Sequence, residues 1–192
     1  MAEREGRAKG FTVVELLIVI ATIGILASIA LVLYPGYRQR ANDTERKSDV
    51  QQVVAGLSAY ALQKNTLIGT DSGCGKDGDG NGWLSVGPSE YPKAILTCLQ
   101  EADVLGTGDF VDPTGCIKDG GSCGSNRVTA YMKATCKKGG NDITYVLAYL
   151  ESEPQKTAEV DALCDAGTVE GFNSTTQKWG TAYGMNYYVS VR

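Results

Sequence analysis

Residues 11 to 33, FTVVELLIVIATIGILASIALVL, form a 23-residue run in which Glu15 is the only ionisable side chain. No other feature restricts the fold as much. As a helix rising 1.5 Å per residue it is roughly 35 Å long, enough to cross a hydrocarbon core of about 30 Å. A secretory signal peptide has an apolar core of about 7–15 residues that ends at a small-residue cleavage site. Here the run is longer, and Gly10-Phe11 stands before it rather than after. A plain membrane anchor accounts for the length but not for the acid, because a charge at the bilayer centre costs roughly 2.5–3.5 kcal/mol. Glu15 needs a reason.

The stretch KGFTVVELLIVIATIGILASIALVLYPGY, residues 9 to 37, resembles the N-terminus of type IV pilins. The shared pattern is a short charged leader, a Gly, a Phe, and a Glu at the fifth position of the mature chain. Similarity of a helical kind extends to about residue 64, and the rest corresponds by arrangement only. The resemblance implies cleavage after Gly10 by a membrane aspartyl prepilin peptidase, which admits little bulk at that position. It implies N-methylation of the new terminus, Phe11. It also implies a precursor in the inner membrane that becomes a self-assembled extracellular pilus through the inner-membrane assembly machinery, with the lipid bilayer as the helix's first environment. Glu15 then has a partner. The α-amino group freed on Phe11 lies one helical turn away, and a carboxylate at i+4 neutralises it within the chain or on a neighbouring subunit. In low dielectric an unpaired charge is costly, so this pairing sets the assembly register.

The segment departs from the family in one place. Many pilins carry a proline shortly before their paired tyrosines; here Val32 occupies that place and Pro35 lies between Tyr34 and Tyr37. Pro35 removes a helical hydrogen bond and is expected to bend or locally melt the helix, with Gly36 weakening it further. Gly24 and Pro35-Gly36 are therefore the expected points of stretching during filament formation. Beyond them Val50, Val53, Val54, Leu57 and Ala61 fall on one helical face. The amphipathic helix thus continues over 34–64, while the charged stretch from Arg38 to Asp49 reads as a solvated face or as pairs between subunits.

The remainder, 65–192, is expected to be a globular head, giving an α+β fold. In this pilin fold a long N-terminal helix, hydrophobic in its first half, packs on a small antiparallel sheet of three or four strands. RVTAYMKATC and DITYVLAYLES flank KKGGN as a β-hairpin, and TAYGMNYYVSVR supplies a third strand. A helix is expected around YPKAILTCLQEADVL. All six cysteines (Cys74, Cys98, Cys116, Cys123, Cys136, Cys164) lie in this part. With no C-x-x-C pair for zinc they read as up to three disulfides of an exported domain, whose pairing the sequence leaves open.

DGDGNGWLS, residues 77 to 85, resembles the first half of an EF-hand loop, which makes Ca²⁺ the one cofactor suggested. Asp77, Asp79 and Asn81 alternate, and the Trp83 carbonyl and Ser85 side chain could follow as ligands. The twelfth position holds Pro88 instead of Glu, and Glu90 comes two residues late. A flexible polar turn is the alternative. The chain has no histidine, so the commonest general base and the usual catalytic zinc ligand are absent. No Ser-Lys pair or carboxylate pair stands in their place, so no enzyme is expected. A net charge of −4 without a basic stripe gives nucleic-acid binding no support. The expected function is a structural pilus subunit serving adhesion, motility or DNA uptake. The alternatives are a pseudopilin of type II secretion and a minor tip pilin with a calcium-dependent adhesive head.

Overall fold

A computed structural model describes residues 10–69, 71–85, 91–108, 110–115, 131–165, 168 and 179–191. The chain forms two compact units, Met1–Arg38 and Gln39–Arg192. Helix α1 (Val13–Lys64) belongs to both.

In the first unit α1 consists almost wholly of apolar residues, all of them exposed. Its Thr and Ser hydroxyls satisfy themselves: Thr22 donates to the Val19 carbonyl at 2.8 Å and Ser28 to that of Ile25 at 2.7 Å. Such back-bonding removes a polar group from any surrounding apolar phase. The helix runs without a break through Gly24, Pro35 and Gly36. Pro35 has no N–H to donate; it costs α1 one hydrogen bond, not its continuity, so the expected local melting is absent.

In the second unit α1 turns Val50, Val53 and Leu57 fully inward, with Val54 half-buried beside them. They meet Leu96 and Leu99 of α2 (Ile95–Glu101) and Val146 and Ala148 of a sheet. That sheet has four antiparallel strands in the order β1 (Gly82–Trp83), β2 (Met132–Lys138), β3 (Asn141–Ala148), β4 (Tyr187–Val191). The β2–β3 hairpin closes on Gly139-Gly140 with φ of 57° and 83°. Two successive positive φ angles match the twist of the flanking strands and favour glycine at both places.

Both sheet faces are covered. Met132, Ala134, Cys136, Tyr145 and Leu147 point away from α1 into a second core with Val160, Leu163, Trp179 and Met185. That layer is built by α3 (Thr157–Asp161) and α4 (Trp179–Tyr183), which pack together through Gly180. A Cβ there would stand 2.1 Å from the Thr157 carbonyl oxygen. The hairpin and α2 stand where the residue pattern predicts them, but 181–183, expected as the start of a strand, belong to α4 instead. Among the described residues two disulfides staple the layers. Cys74–Cys98 joins the loop before β1 to α2, and Cys136–Cys164 joins β2 to the segment after α3. Cys116 and Cys123 lie outside the described residues.

Candidate functional site

The N-terminal end of α1 shows what Glu15 does in this chain. Thr12 donates both its backbone N–H and its hydroxyl to Glu15 Oε2, each at 2.8 Å. The Thr12 hydroxyl oxygen in turn accepts the Glu15 N–H at 3.2 Å. This is a capping box, T-x-x-E, which satisfies orphan donors of the first turn reciprocally. Away from water those donors would otherwise be left unpaired, so the acid has a structural task before any ion pair exists. In the uncleaved chain the Phe11 nitrogen is an amide and brings no charge to Glu15. Gly10 and Phe11 are both exposed and precede the helix. Residues 1–9 lie outside the described residues.

From Phe11 to Tyr37 large apolar side chains stand exposed on every side of α1, Phe11 itself at 88% and Val32 at 79%. The most apolar 18-residue window has a mean hydropathy of 3.0, and none of it is buried by the chain. Burial of apolar surface is favourable by about 25 cal/mol per Å². A patch this large therefore marks a contact surface for membrane or protein.

The stretch of α1 from Arg38 to Asp49 is not merely a solvated face. Arg46 is fully buried and is held by three carboxylates from three parts of the chain. Nε donates to Asp112 at 2.6 Å, Nη1 to Asp43 at 2.9 Å and Nη2 to Glu151 at 2.9 Å. Burial opposes the Arg46 charge, but Asp112, Glu151 and Asp43 more than offset it and hold the guanidinium well above its ordinary pKa. Asp43 also accepts the N–H groups of Glu151 and Ser152 and the Ser152 hydroxyl. Burial would raise its pKa, yet these donors and Arg46 keep it below the usual carboxylate value. Nearby Asp49 accepts the Tyr131 hydroxyl at 2.7 Å. Burial pushes this carboxyl upward despite that bond, helped by the charges of Glu45 and Asp112. The group fastens α1 to the loop at 110–115 and to the segment after β3.

The calcium-like loop lies against a buried ammonium group. Lys133, fully buried on β2, donates to the Gly80 carbonyl at 2.7 Å and to Asn81 Oδ1 at 3.3 Å. Asn81 Oδ1 also accepts the Thr135 N–H at 2.9 Å. Asp79 receives the Asn81 N–H at 3.0 Å, and burial pushes its carboxyl upward. Asp77 is exposed beside Lys76, Ser85 is half-buried, and Trp83 sits in β1 with its N–H on the Tyr91 hydroxyl. Glu90 lies outside the described residues. Among the described residues no three acidic or cysteine side chains converge as a metal site. The glycines serve packing: at Gly80, φ is 77° and a Cβ would come within 2.6 Å of the Ile68 carbonyl oxygen.

Comparison with known proteins places the N-terminal motif in context. The chain is 31% identical over 67 residues to the type II secretion system core protein G of Pectobacterium carotovorum, covering 35% of this chain and 43% of that protein. It is 42% identical over 59 residues to the type IV wide pilus major component of Thermus thermophilus, covering 31% and 45%. The first third of the chain is thus similar both to type IV pilus components and to a type II secretion core protein. A fimbrial protein of Eikenella corrodens extends the pilin similarity to 138 residues at 28% identity, 67% of this chain and 90% of that one. The chain spans less than half the length of several of the curated relatives it matches. No family model matches it. No solved structure matches it either.

Proposed function

We propose that this chain is the structural subunit of an extracellular type IV pilus. The observation that carries the reading is the wholly exposed apolar surface of α1 from Phe11 to Tyr37, which the chain itself leaves uncovered. The precursor rests with this helix in the inner membrane, prepilin peptidase cuts after Gly10, and Phe11 becomes the methylated N-terminus. Assembly exchanges lipid for the helices of other copies, and Glu15 neutralises the new amine. Gly24 and Pro35-Gly36 are the places where α1 stretches as it enters the filament. The role is structural and non-enzymatic. The test is the N-terminus of the mature protein by mass spectrometry, joined to electron microscopy of sheared surface material. Methylated Phe11 in long filaments is expected; a mature chain that keeps Met1 overturns the reading. The similarity to a type II secretion core protein supports a second reading, a short periplasmic pseudopilus, and the same micrographs would then show no surface filaments.

A further inference from the structure

A surface cavity of about 220 Å³ opens in the head where the last turn of α1 meets α2. The Cys74–Cys98 disulfide lines it and ties the loop before β1 to α2. Tyr60 and Lys64 project into it from α1, Lys93 and Glu101 from the side of α2. Tyr60 packs its ring against the main core, so the ring is fixed while its hydroxyl is left over. Among the described residues neither that hydroxyl nor the Lys64 ammonium has a hydrogen-bond or ion-pair partner. Lys93, half-buried, and Glu101, exposed, are paired at 2.7 Å. Two ammonium groups and one carboxylate leave the cavity with an excess positive charge.

We propose that this cavity binds one carboxylated sugar unit of the uronic-acid class. The size excludes drug-sized ligands, whose pockets run from about 300 Å³ upward. Lys64 supplies the unspent charge for the carboxylate. Tyr60 offers a rigid aromatic edge with a free hydroxyl, a surface that is apolar at one end and hydrogen-bonding at the other. The Lys93–Glu101 pair places a donor and an acceptor side by side, which suits vicinal hydroxyls. A bare anion would use only the lysines, and a neutral sugar would leave Lys64 idle. The combination selects a ligand with both features. The site goes beyond filament assembly and would give the head a contact with acidic polysaccharide.

The test titrates glucuronate, glucose and acetate into the full chain in detergent micelles and follows binding by calorimetry and ligand-observed NMR. Glucuronate is expected to bind, with glucose and acetate at least about tenfold weaker. Lys64→Gln and Tyr60→Phe should each weaken glucuronate by about tenfold while leaving Tm unchanged, since Lys64 is exposed and Phe keeps the packed ring. Failure of glucuronate to bind at millimolar concentration overturns the proposal. So does equal binding of acetate, which would mean a simple ion site, or wild-type affinity in Lys64→Gln. None of these outcomes depends on whether the chain forms filaments.

Discussion

Along the first half of α1 Ile, Leu and Val stand in the open, whereas along the second half Asp43 and Arg46 are buried. One continuous helix thus obeys two opposite arrangements. The first half satisfies its polar groups locally, through the Thr12–Glu15 cap and the back-bonded Thr22 and Ser28, and leaves its apolar surface for something outside the chain. The second half spends its apolar residues on the chain's own core and completes the joint with charge. The difference shows how a single helix serves two masters: its stability comes from the head, and its adhesiveness comes from the part that the head does not cover.

The largest effect is expected at the buried arginine. Arg46→Ala leaves Asp43, Asp112 and Glu151 facing one another without a cation, and breaking a buried pair in this way costs about 3–5 kcal/mol. Domains are stable by only about 5–15 kcal/mol, so the loss is a large share of the total. Thermal unfolding of the full chain in detergent should show Tm lowered by roughly 6–20 °C. Membrane insertion of the first half should be unchanged in the same variant, because nothing in residues 13–33 contacts Arg46. A variant that unfolds at the wild-type temperature would mean that the charge cluster is incidental.

Next comes the cap. Glu15→Gln keeps the hydrogen-bonding oxygen of the capping box but removes the charge, while Glu15→Val removes both. If Glu15 served only the helix, Glu15→Gln would assemble normally, and Glu15→Val would lose about 1 kcal/mol of helix stability at its first turn. The ion-pair reading expects both variants to insert and be cut at Gly10, and both to yield few filaments by electron microscopy. Normal filaments from Glu15→Gln would reduce the acid to a cap.

The pH profile should separate two carboxylates of the second half. Asp43 has a folded pKa below its unfolded value, so its contribution is present above the unfolded pKa and lost as pH falls through the folded one. Asp49 is shifted the other way. Its contribution is present below the unfolded pKa and lost as pH rises through the folded one. Stability measured by denaturant from pH 3 to pH 7 should therefore rise more steeply in Asp49→Asn than in the wild type. Parallel curves would show that Asp49 titrates normally.

Much of this architecture was legible in the residues, and the rest was not for identifiable reasons. The apolar run, the helix to Lys64 and the Gly139-Gly140 hairpin each carry a local pattern of adequate length. Strand β1 has two residues, and α3 and α4 have five each, too short for any periodicity to register. Arg46 was hidden because Asp43-x-x-Arg46 looks like an ordinary surface pair at i, i+3. Its other partners lie 66 and 105 residues away. The capping box was in plain view as Thr12-x-x-Glu15, and weighing Glu15 only as a charge passes over it.

The smallest expected effect concerns calcium, and it contrasts the two cations buried among the described residues of the second unit. Arg46 is surrounded by carboxylates, whereas Lys133 reaches carbonyl, carboxamide and hydroxyl oxygens of Gly80, Asn81 and Thr135. Asn81 Oδ1 is one of the oxygens that an ion in the 77–85 loop would need, and a divalent ion beside Lys133 would meet a like charge. A ligand that binds only the folded state must raise its stability. Adding calcium, or removing it with chelator, should therefore leave Tm unchanged in both the wild type and Asp79→Ala. Lys133→Met should lose stability by leaving the Gly80 carbonyl short of its donor, a cost of about 1–3 kcal/mol, while Asn81 Oδ1 keeps the Thr135 N–H. If calcium raised the wild-type Tm and failed to do so in Asp79→Ala, the metal reading would stand, and the loop would have to bind its ion with Lys133 displaced.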